Sequence, residues 1–314
     1  MATDALIAVG AGLFSAVLAM AFLGGSPMAL LLVYVASLPL FLSGLGLGMR
    51  AATISAAAGF MGMGMFGGGA VAGLFGLVHA LPAWMTTRMV LLQRPAADET
   101  GASDWYPPGP AIAALTCLGG ALLVLAALFV GGDGLQAVVS QQMTAAFDVM
   151  APIMTEAQRK QFIDLLVPLF PGMAAASWVV MAAVNAILSQ GLLVRIGRNI
   201  RPSPEYLALE LPQWLSWPLV AAAALALLGS GEWEYMARNL ALVLAVPYFF
   251  LGLAVVHAAA HRVAMTGAVL TLFYLTLLFS GWAALVVAGI GITEQWLGLR
   301  ERFGLRGAVP PDNE

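Results

Sequence analysis

Charge and cysteine are both scarce in this chain. Only 9% of its 314 residues are charged, and the formal net charge is -3. A nucleic-acid-binding surface needs clustered Lys and Arg, so this composition argues against a nucleic-acid partner. The single cysteine, Cys117, excludes a disulfide within the chain and leaves no set of thiolates for a metal ion.

Catalytic signatures are absent as well. The sequence has no Gly-x-x-x-x-Gly-Lys-Ser/Thr phosphate loop, so this chain does not hydrolyse ATP by itself. It also lacks the Gly-x-Ser-x-Gly turn of serine hydrolases and the His-Glu-x-x-His helix of zinc proteases. We therefore expect a protein that is not an enzyme and that uses no metal and no cofactor.

Long apolar runs occupy most of the chain instead. Hydrophobic residues make up 61% of the sequence, and about 20 consecutive apolar residues are enough to cross a bilayer as a helix. Backbone groups inside lipid must pair within their own segment, so these runs are helices. We predict an all-α, polytopic transmembrane bundle of about eight to nine spans plus an amphipathic interfacial helix. The candidate spans are residues 5–24, 27–48, 51–67, 70–92, 110–131, 168–193, 215–230, 236–260 and 264–292.

The whole chain, 1–314, is predicted to form a single integral membrane domain. Three stretches separate or follow the spans: an amphipathic outer-face segment at 134–166, a cytoplasmic loop at 194–214 and a polar tail at 297–314. Apolar residues recur at three- and four-residue spacing in the first stretch, as in a helix on the membrane surface. That helix either shields the bundle or acts as a lid over an outward-facing cavity.

The placement of arginine predicts the orientation. Loops on the cytoplasmic side of the inner membrane are rich in Lys and Arg. We therefore expect a multi-pass protein of the bacterial inner (plasma) membrane whose N-terminus is cytoplasmic. The arginines on that side of the span count are Arg50, Arg88, Arg94, Arg195, Arg198, Arg201 and Arg262. The last run, 264–292, is longer than one crossing needs, so it is either steeply tilted or broken near Gly281, and a break would return the tail to the cytoplasm.

Polar residues inside the apolar runs are the candidate ligand contacts. His79 lies shortly before Pro82, whose ring removes a backbone donor and frees a carbonyl close to the histidine. Asn185 and Gln190 lie in or near the sixth span. Polar groups within a membrane are costly and often functional. They either contact a ligand or join helices by hydrogen bonds, and the sequence leaves both interpretations open.

The densest basic cluster consists of Arg195, Arg198 and Arg201. In a helix these residues would share one face. Two interpretations remain open for them. The arginines either anchor the protein against anionic lipid at the cytoplasmic surface, or they dock a partner such as a cytoplasmic ATPase or another membrane subunit.

Several motifs spread over nearly the whole chain resemble a known family. They are Leu38-Pro39-Leu40-Phe41 with Gly44-Leu45-Gly46-Leu47-Gly48, His79-Ala80-Leu81-Pro82-Ala83, Gln190-Gly191-Leu192-Leu193 with Arg201-Pro202-Ser203-Pro204, Leu211-Pro212-Gln213-Trp214, Asn239-Leu240 with Pro247-Tyr248-Phe249, and Glu294-Gln295-Trp296-Leu297 with Arg300. The chain resembles the YybS-like family of bacterial polytopic membrane proteins of unknown function. That family is distantly similar to the substrate-binding S components of energy-coupling-factor vitamin transporters and to the cell-shape protein MreD. The resemblance implies an all-helical core that can hold a ligand pocket, and it supplies neither a substrate nor catalytic residues.

Two functions from different classes fit these observations. The first is a substrate-binding or permease-type transport subunit for a small, largely apolar or amphipathic molecule. His79, Asn185 and Gln190 would be its polar contacts, and separate subunits docking near 195–201 would hydrolyse any ATP. The second is a non-transporting scaffold for envelope or assembly machinery, which would bind partner proteins through the same arginines without a small ligand.

Overall fold

The computed structural model describes residues 2–21, 27–94, 104–130, 134–151 and 153–305. Helices make up 84% of the described residues, which confirms the predicted all-α class. The strands in the described part are a two-residue antiparallel pair, β1 (Gln93–Arg94) and β2 (Asp104–Trp105). The chain divides into two compact units, described separately below. Unit 1 comprises Met1–Leu115 and Val180–Pro204, and unit 2 comprises Thr116–Val179 and Glu205–Glu314.

Fourteen α-helices are present in the described residues. In chain order they are α1 (Ala2–Met20), α2 (Pro27–Tyr34), α3 (Leu38–Leu47), α4 (Met49–Phe75), α5 (Leu81–Val90), α6 (Pro108–Val130), α7 (Leu135–Met150), α8 (Glu156–Leu166), α9 (Phe170–Arg195), α10 (Ser216–Leu228), α11 (Gly231–Ala260), α12 (Thr266–Phe279), α13 (Gly281–Leu297) and α14 (Leu299–Arg302). A π-helical turn, Gly76–Ala80, joins α4 to α5.

Length and composition identify a multi-pass membrane protein. Six helices in the described residues are long and apolar enough to cross a membrane, and the number becomes seven if the bent pair α12–α13 counts as one span. The eight to nine predicted spans exceed this number. Part of the difference is α10, which at 13 residues is a shorter apolar helix. The predicted spans 51–67 and 70–92 fall in a single helical stretch, Met49–Val90.

That stretch nevertheless folds back on itself at Gly68. This residue has φ +76° and ψ -177°, a conformation essentially restricted to glycine. A Cβ on Gly59 would lie 2.8 Å from the Phe75 ring, and one on Gly76 would lie 3.2 Å from Phe60. A straight helix would separate residues 59 and 75 by about 24 Å. The two limbs are therefore antiparallel, and each corresponds to one of the two predicted spans.

Small residues set the packing of unit 1. Ala8, Gly12 and Ala16 on α1 are buried, and a Cβ on Gly12 would come within 2.8 Å of the backbone nitrogen of Gly59 on α4. Such close contact lets dispersion forces and backbone dipoles join helices in lipid, where the hydrophobic effect gives no drive for association. The small-residue face of α1 is therefore covered by α4 of the same chain.

In unit 2, the segment predicted as one amphipathic helix at 134–166 is two helices. The chain leaves α7 after Met150, and Thr155 starts α8 with a reciprocal capping box shared with Gln158. The two helices pack against each other through a small apolar cluster centred on Met143 and Ile163. The single-helix interpretation was wrong because the cap and the reversal lie inside one continuous amphipathic pattern.

The last apolar run is also interrupted. α12 and α13 meet at Ser280 with a bend of 118°. Of the two alternatives, a steep tilt or a break near Gly281, the structure has the break. None of the residues of α12 is buried within the chain. α13 packs closely on α11 because Gly252 and Gly291 leave room for the facing backbone. The polar tail predicted at 297–314 is described as far as Leu305, and its remainder lies outside the described residues.

Candidate functional site

The candidate site is a break in the second apolar span, between α2 and α3. Residues Met28–Leu47 form one membrane-length helix by composition, yet residues 35–37 form a turn near its middle. Pro39 explains the turn, because proline has no amide hydrogen and its ring clashes with the carbonyl four residues earlier. Backbone groups freed at this depth have no water to pair with and need partners from the protein.

Helix α9 supplies two of those partners. Asn185 donates its Nδ2 to the carbonyl of Tyr34, the last residue of α2, at 2.7 Å. Ser189, one turn further along α9, donates its hydroxyl to the carbonyl of Leu38 at 3.3 Å. The i, i+4 spacing places both side chains on one face of α9, so this face follows the broken span across the turn.

Ser15 and His79 complete the ring of partners. The hydroxyl of Ser15 on α1 donates to the carbonyl of Ala36 at 2.6 Å. The hydroxyl of Ser37 lies 2.9 Å from Nδ1 of His79, and the His79 ring lies beside Phe75 with centroids 5.5 Å apart. All of these polar side chains are buried.

His79 reaches the break because its own helix is distorted. It lies in the π-helical turn that precedes α5, and Pro82 follows three residues later. A proline removes the backbone donor that an α-helix would use at this point, and a wider turn accommodates the loss. Such turns are frequent at functional sites.

One acceptor at the break is unused. Asn185 is 3% exposed, and its Nδ2 already serves the carbonyls of Tyr34 and Met181. Its Oδ1 is buried and has no hydrogen-bond partner among the described residues. A buried, unpaired acceptor costs roughly 1–3 kcal/mol. The amide oxygen is therefore the group at this site that gains most from an incoming donor.

Gln190 belongs to a different part of unit 1. Its Nε2 donates to the carbonyl of Arg201 at 2.8 Å, so it holds the loop after α9. The structure therefore groups His79 with Asn185 and separates Gln190 from them. Ser15, Ser37 and Ser189 are site residues that sequence reasoning missed, because a serine in an apolar helix has no distinguishing spacing.

Arg201 is buried and joins separate segments of unit 1. It is 6% exposed, and its Nη1 donates to the carbonyls of Val90 at 2.7 Å and Tyr106 at 3.2 Å. Its guanidinium also lies over the ring of Trp105, 5.6 Å from the centroid. Val90 is the last residue of α5, so the cation stabilises the negative end of that helix. Burial lowers the pKa of Arg201.

Arg195 and Arg198 are exposed instead. Helix α9 ends at Arg195, and Gly197 has φ +64°. The amide of Arg198 bonds to the carbonyl of Leu193, and that of Gly197 to the carbonyl of Val194, which is a Schellman ending. The predicted common helical face of the three arginines is therefore wrong, because glycine in the left-handed conformation redirects the chain.

Unit 2 contains a buried ion pair that sequence reasoning missed. Glu294 is 5% and Arg300 is 2% exposed, with 2.7 Å between Oε1 and Nε. Arg300 also donates to the carbonyl of Leu209 at 2.7 Å and to the carbonyl of Leu207. The two charged residues are six positions apart and meet because Gly298 takes the left-handed conformation between them. They hold the segment that precedes α10.

A hydrogen-bonded group of aromatic side chains lies along the same segment. Tyr206 donates its hydroxyl to the carbonyl of Phe250 at 3.0 Å, and its ring meets His257 edge-on. His257 in turn lies 2.7 Å from the hydroxyl of Tyr274. Burial and then the nearby Tyr274 raise the pKa of Tyr206, against the opposing effect of Arg300. His257 therefore makes structural contacts with two tyrosines of unit 2.

An open cleft of about 390 Å³ lies at the base of the α7–α8 hairpin in unit 2. Its lining includes Gln136, Asp164 and Glu232. Glu232 accepts a hydrogen bond from the amide of Leu135 at 3.1 Å, so this carboxylate caps the start of α7. Of the two carboxylates that line the cleft, Glu232 therefore has a structural role.

Comparison with known proteins identifies the family. A family model described as predicted membrane protein (DUF2232) matches residues 13–294, so the chain belongs to this family. The match agrees with the resemblance to YybS-like membrane proteins of unknown function. No curated protein and no solved structure matched the chain.

Proposed function

We propose that this member of the DUF2232 family of predicted membrane proteins is a substrate-binding or permease-type transport subunit for a small, largely apolar molecule. The break between α2 and α3 is the observation that carries the proposal. Secondary transporters form binding sites at discontinuous helices near the bilayer midplane. The turn lies near the middle of a membrane-length run, and the polar side chains around it are all buried: Ser15, Ser37, His79, Asn185 and Ser189.

The groups at the break favour one class of ligand. Asn185 offers an unpaired oxygen, so the matching ligand atom is a hydrogen-bond donor. The side chains bonded to the break are those of Ser15, His79, Asn185 and Ser189, and they include no carboxylate, guanidinium or ammonium group. A charged ligand would be buried there without a counter-ion, at high cost. The proposed ligand is therefore an uncharged molecule with a hydroxyl or N–H group on an apolar body.

The proposed orientation is a cytoplasmic N-terminus in the bacterial inner membrane. In unit 1, Gly12 of α1 lies against Ser55 of α4, and Leu13 lies 3.0 Å from a Cβ built on Gly62. The two helices therefore run in the same direction, and α1 begins at the same end of unit 1 as Arg50. Basic helix ends favour the cytoplasmic side. Because the chain has no ATP-binding loop, any ATP hydrolysis belongs to a separate subunit.

Native mass spectrometry of the protein gently extracted from its own membranes tests the proposal. We expect the wild type to retain a small molecule, and Asn185→Ala to lower its occupancy about 5- to 15-fold, the equivalent of one lost hydrogen bond. Asn199→Ala is the matched control, because Asn199 donates to the carbonyl of Arg201 in the loop after α9. It should leave the occupancy unchanged.

Two results would count against the proposal. A wild-type protein that carries no small molecule but holds partner proteins stably would favour the non-transporting scaffold. A bound molecule with equal occupancy in Asn185→Ala and the wild type would exclude the break as its binding site.

A further inference from the structure

We propose that three exposed arginines at one end of unit 1, Arg50, Arg195 and Arg198, bind the phosphate groups of anionic lipids. We refer to these three residues as the basic rim. The proposal concerns a surface separate from the α2–α3 break and does not depend on the function proposed above.

Two junctions bring the basic rim together. The first is the Schellman ending of α9, which leaves the side chains of Arg195 and Arg198 exposed on either side of Gly197. The second is the α3–α4 junction, where a Cβ on Gly48 would lie 3.8 Å from Ile200 and one on Gly46 would lie 3.6 Å from the carbonyl of Arg198. The loop after α9 therefore lies against the junction.

Arg50 joins the rim from this junction. It follows Gly48 by two residues, at the beginning of α4, and its side chain is exposed. Gly48 has φ +91°, so the chain turns sharply between the end of α3 and the start of α4. Two helix ends and one helix start thus meet at the same end of unit 1.

The apolar surroundings of the rim favour a lipid over a protein partner. Ile196 and Ile200 alternate with the arginines and are 55% and 42% exposed. Leu192 and Val194, in the last turn of the membrane-length helix α9, are also exposed. The exposed apolar face of the span therefore continues without interruption into the rim. This sequence of surfaces matches the acyl and headgroup layers of one leaflet.

Arg201 takes no part in this surface. Its guanidinium is used by the carbonyls at the end of α5 and by Trp105, so it is unavailable to any external group. Replacing Arg201 therefore tests the stability of unit 1. Lipid binding is tested by replacing Arg50, Arg195 or Arg198. Guanidinium groups suit phosphate because they bind two of its oxygens at once.

The proposal is tested in lipid nanodiscs of phosphatidylcholine alone or with about one third phosphatidylglycerol. The measured quantity is the enrichment of phosphatidylglycerol over phosphatidylcholine among lipids retained after mild delipidation. Each Arg near an anionic surface accounts for about a 5-fold preference. We expect the wild type to enrich phosphatidylglycerol and the double variant Arg195→Gln/Arg198→Gln to lower the enrichment about 25-fold. Lys160→Gln, an exposed basic residue on α8 of unit 2, is the control and should change nothing.

Three outcomes would overturn the proposal. Equal enrichment in the double variant and the wild type would show that lipid is held elsewhere. A second contrary outcome is that the wild type shows no lipid preference but binds inorganic phosphate in pure phosphatidylcholine discs, and that the double variant loses this binding. That result would indicate that the rim binds a soluble anion. A protein partner that the double variant loses while lipid enrichment is unchanged would assign the rim to protein docking. Thermal unfolding of the double variant should match the wild type, since both side chains are exposed.

Discussion

Replacing Arg300 by Met should be one of the most damaging single changes in unit 2. The guanidinium bonds to the carboxylate of Glu294 and to the carbonyls of Leu209 and Leu207. Without it, a carboxylate that is 5% exposed has no counter-charge, and two carbonyls lose their donor. Removing one partner of a buried ion pair costs about 3–5 kcal/mol. The unfolding equilibrium of unit 2 should therefore shift by about two to three and a half orders of magnitude.

The double variant Glu294→Leu/Arg300→Met separates the charge effect from the lost carbonyl contacts. Replacing both members of a buried pair by apolar groups removes the unpaired charge, so the double variant should be less destabilised than Arg300→Met alone. The carbonyls of Leu207 and Leu209 remain unpaired in both, at roughly 1–3 kcal/mol each. A double variant as unstable as the single one would indicate that the carbonyl contacts dominate.

Thermal and denaturant unfolding in mild detergent measures these differences, and hydrogen exchange of residues 205–211 reports where the structure opens. Arg302→Met is the control, because Arg302 is exposed two positions further on and should change stability by less than about 0.5 kcal/mol. If Arg300→Met behaved like this control, Glu294 and Arg300 would form a solvated surface contact that contributes little to stability, which would contradict the expected loss of about 3–5 kcal/mol.

Three further changes test the packing and the loop contacts. Gly12→Val should destabilise unit 1 by about 1–3 kcal/mol in thermal unfolding, because a Cβ at this position would meet the backbone of α4. Gly10→Val is the control and should have little effect, because a Cβ on Gly10 would have no atom within 4 Å. In denaturant unfolding, Arg201→Gln should lower the free energy of unfolding by about 1–3 kcal/mol, and Arg198→Gln should lower it by less than about 0.5 kcal/mol. The reverse order would contradict the internal role of Arg201. Burial raises the pKa of Tyr206, so the folded state keeps its proton while the unfolded chain loses it above about pH 10. Stability should fall as the pH rises through this range, and Tyr206→Phe should reduce the slope; an equal slope would contradict the burial of this phenol.

The positions of two chain reversals could be predicted in part from the bounds and lengths of the apolar runs. The boundary between the candidate spans 51–67 and 70–92 placed a helix end next to residue 68. The structure reverses at Gly68, where φ is +76°, a conformation that favours glycine. The excess length of 264–292 left two alternatives, a steep tilt or a break near Gly281, and the structure has a bend of 118° at Ser280. Both reversals depend on residues close together in the chain, so they can be recognised in the sequence alone.

The features that were missed depend on contacts between distant residues. The run 27–48 appeared as one uninterrupted span, although Pro39 marks the break, because the turn is stable only when Ser15 and Asn185 reach its carbonyls. The end of α9 had a usable signal in Gly197, which favours the left-handed ending that separates Arg201 from its neighbours.

The contacts of Glu294 and Arg300 could not be predicted from the sequence for the same reason. Glu294 and Arg300 both belonged to a motif that carried the family resemblance, but their spacing of six residues predicts no helical contact. They meet because the chain turns at Gly298, and Arg300 then reaches carbonyls more than ninety residues away. Thr155 with Gln158 was a readable capping box that divides 134–166 into two helices.

The most direct test of ligand binding at the α2–α3 break is a cryo-electron microscopy structure of the protein extracted with its native lipids. We expect the turn at 35–37 and density from a non-protein molecule whose donor lies about 3 Å from Oδ1 of Asn185. A continuous helix through residues 34–38, or an Oδ1 bonded to the protein itself, would contradict the claim that this break is a ligand-binding site.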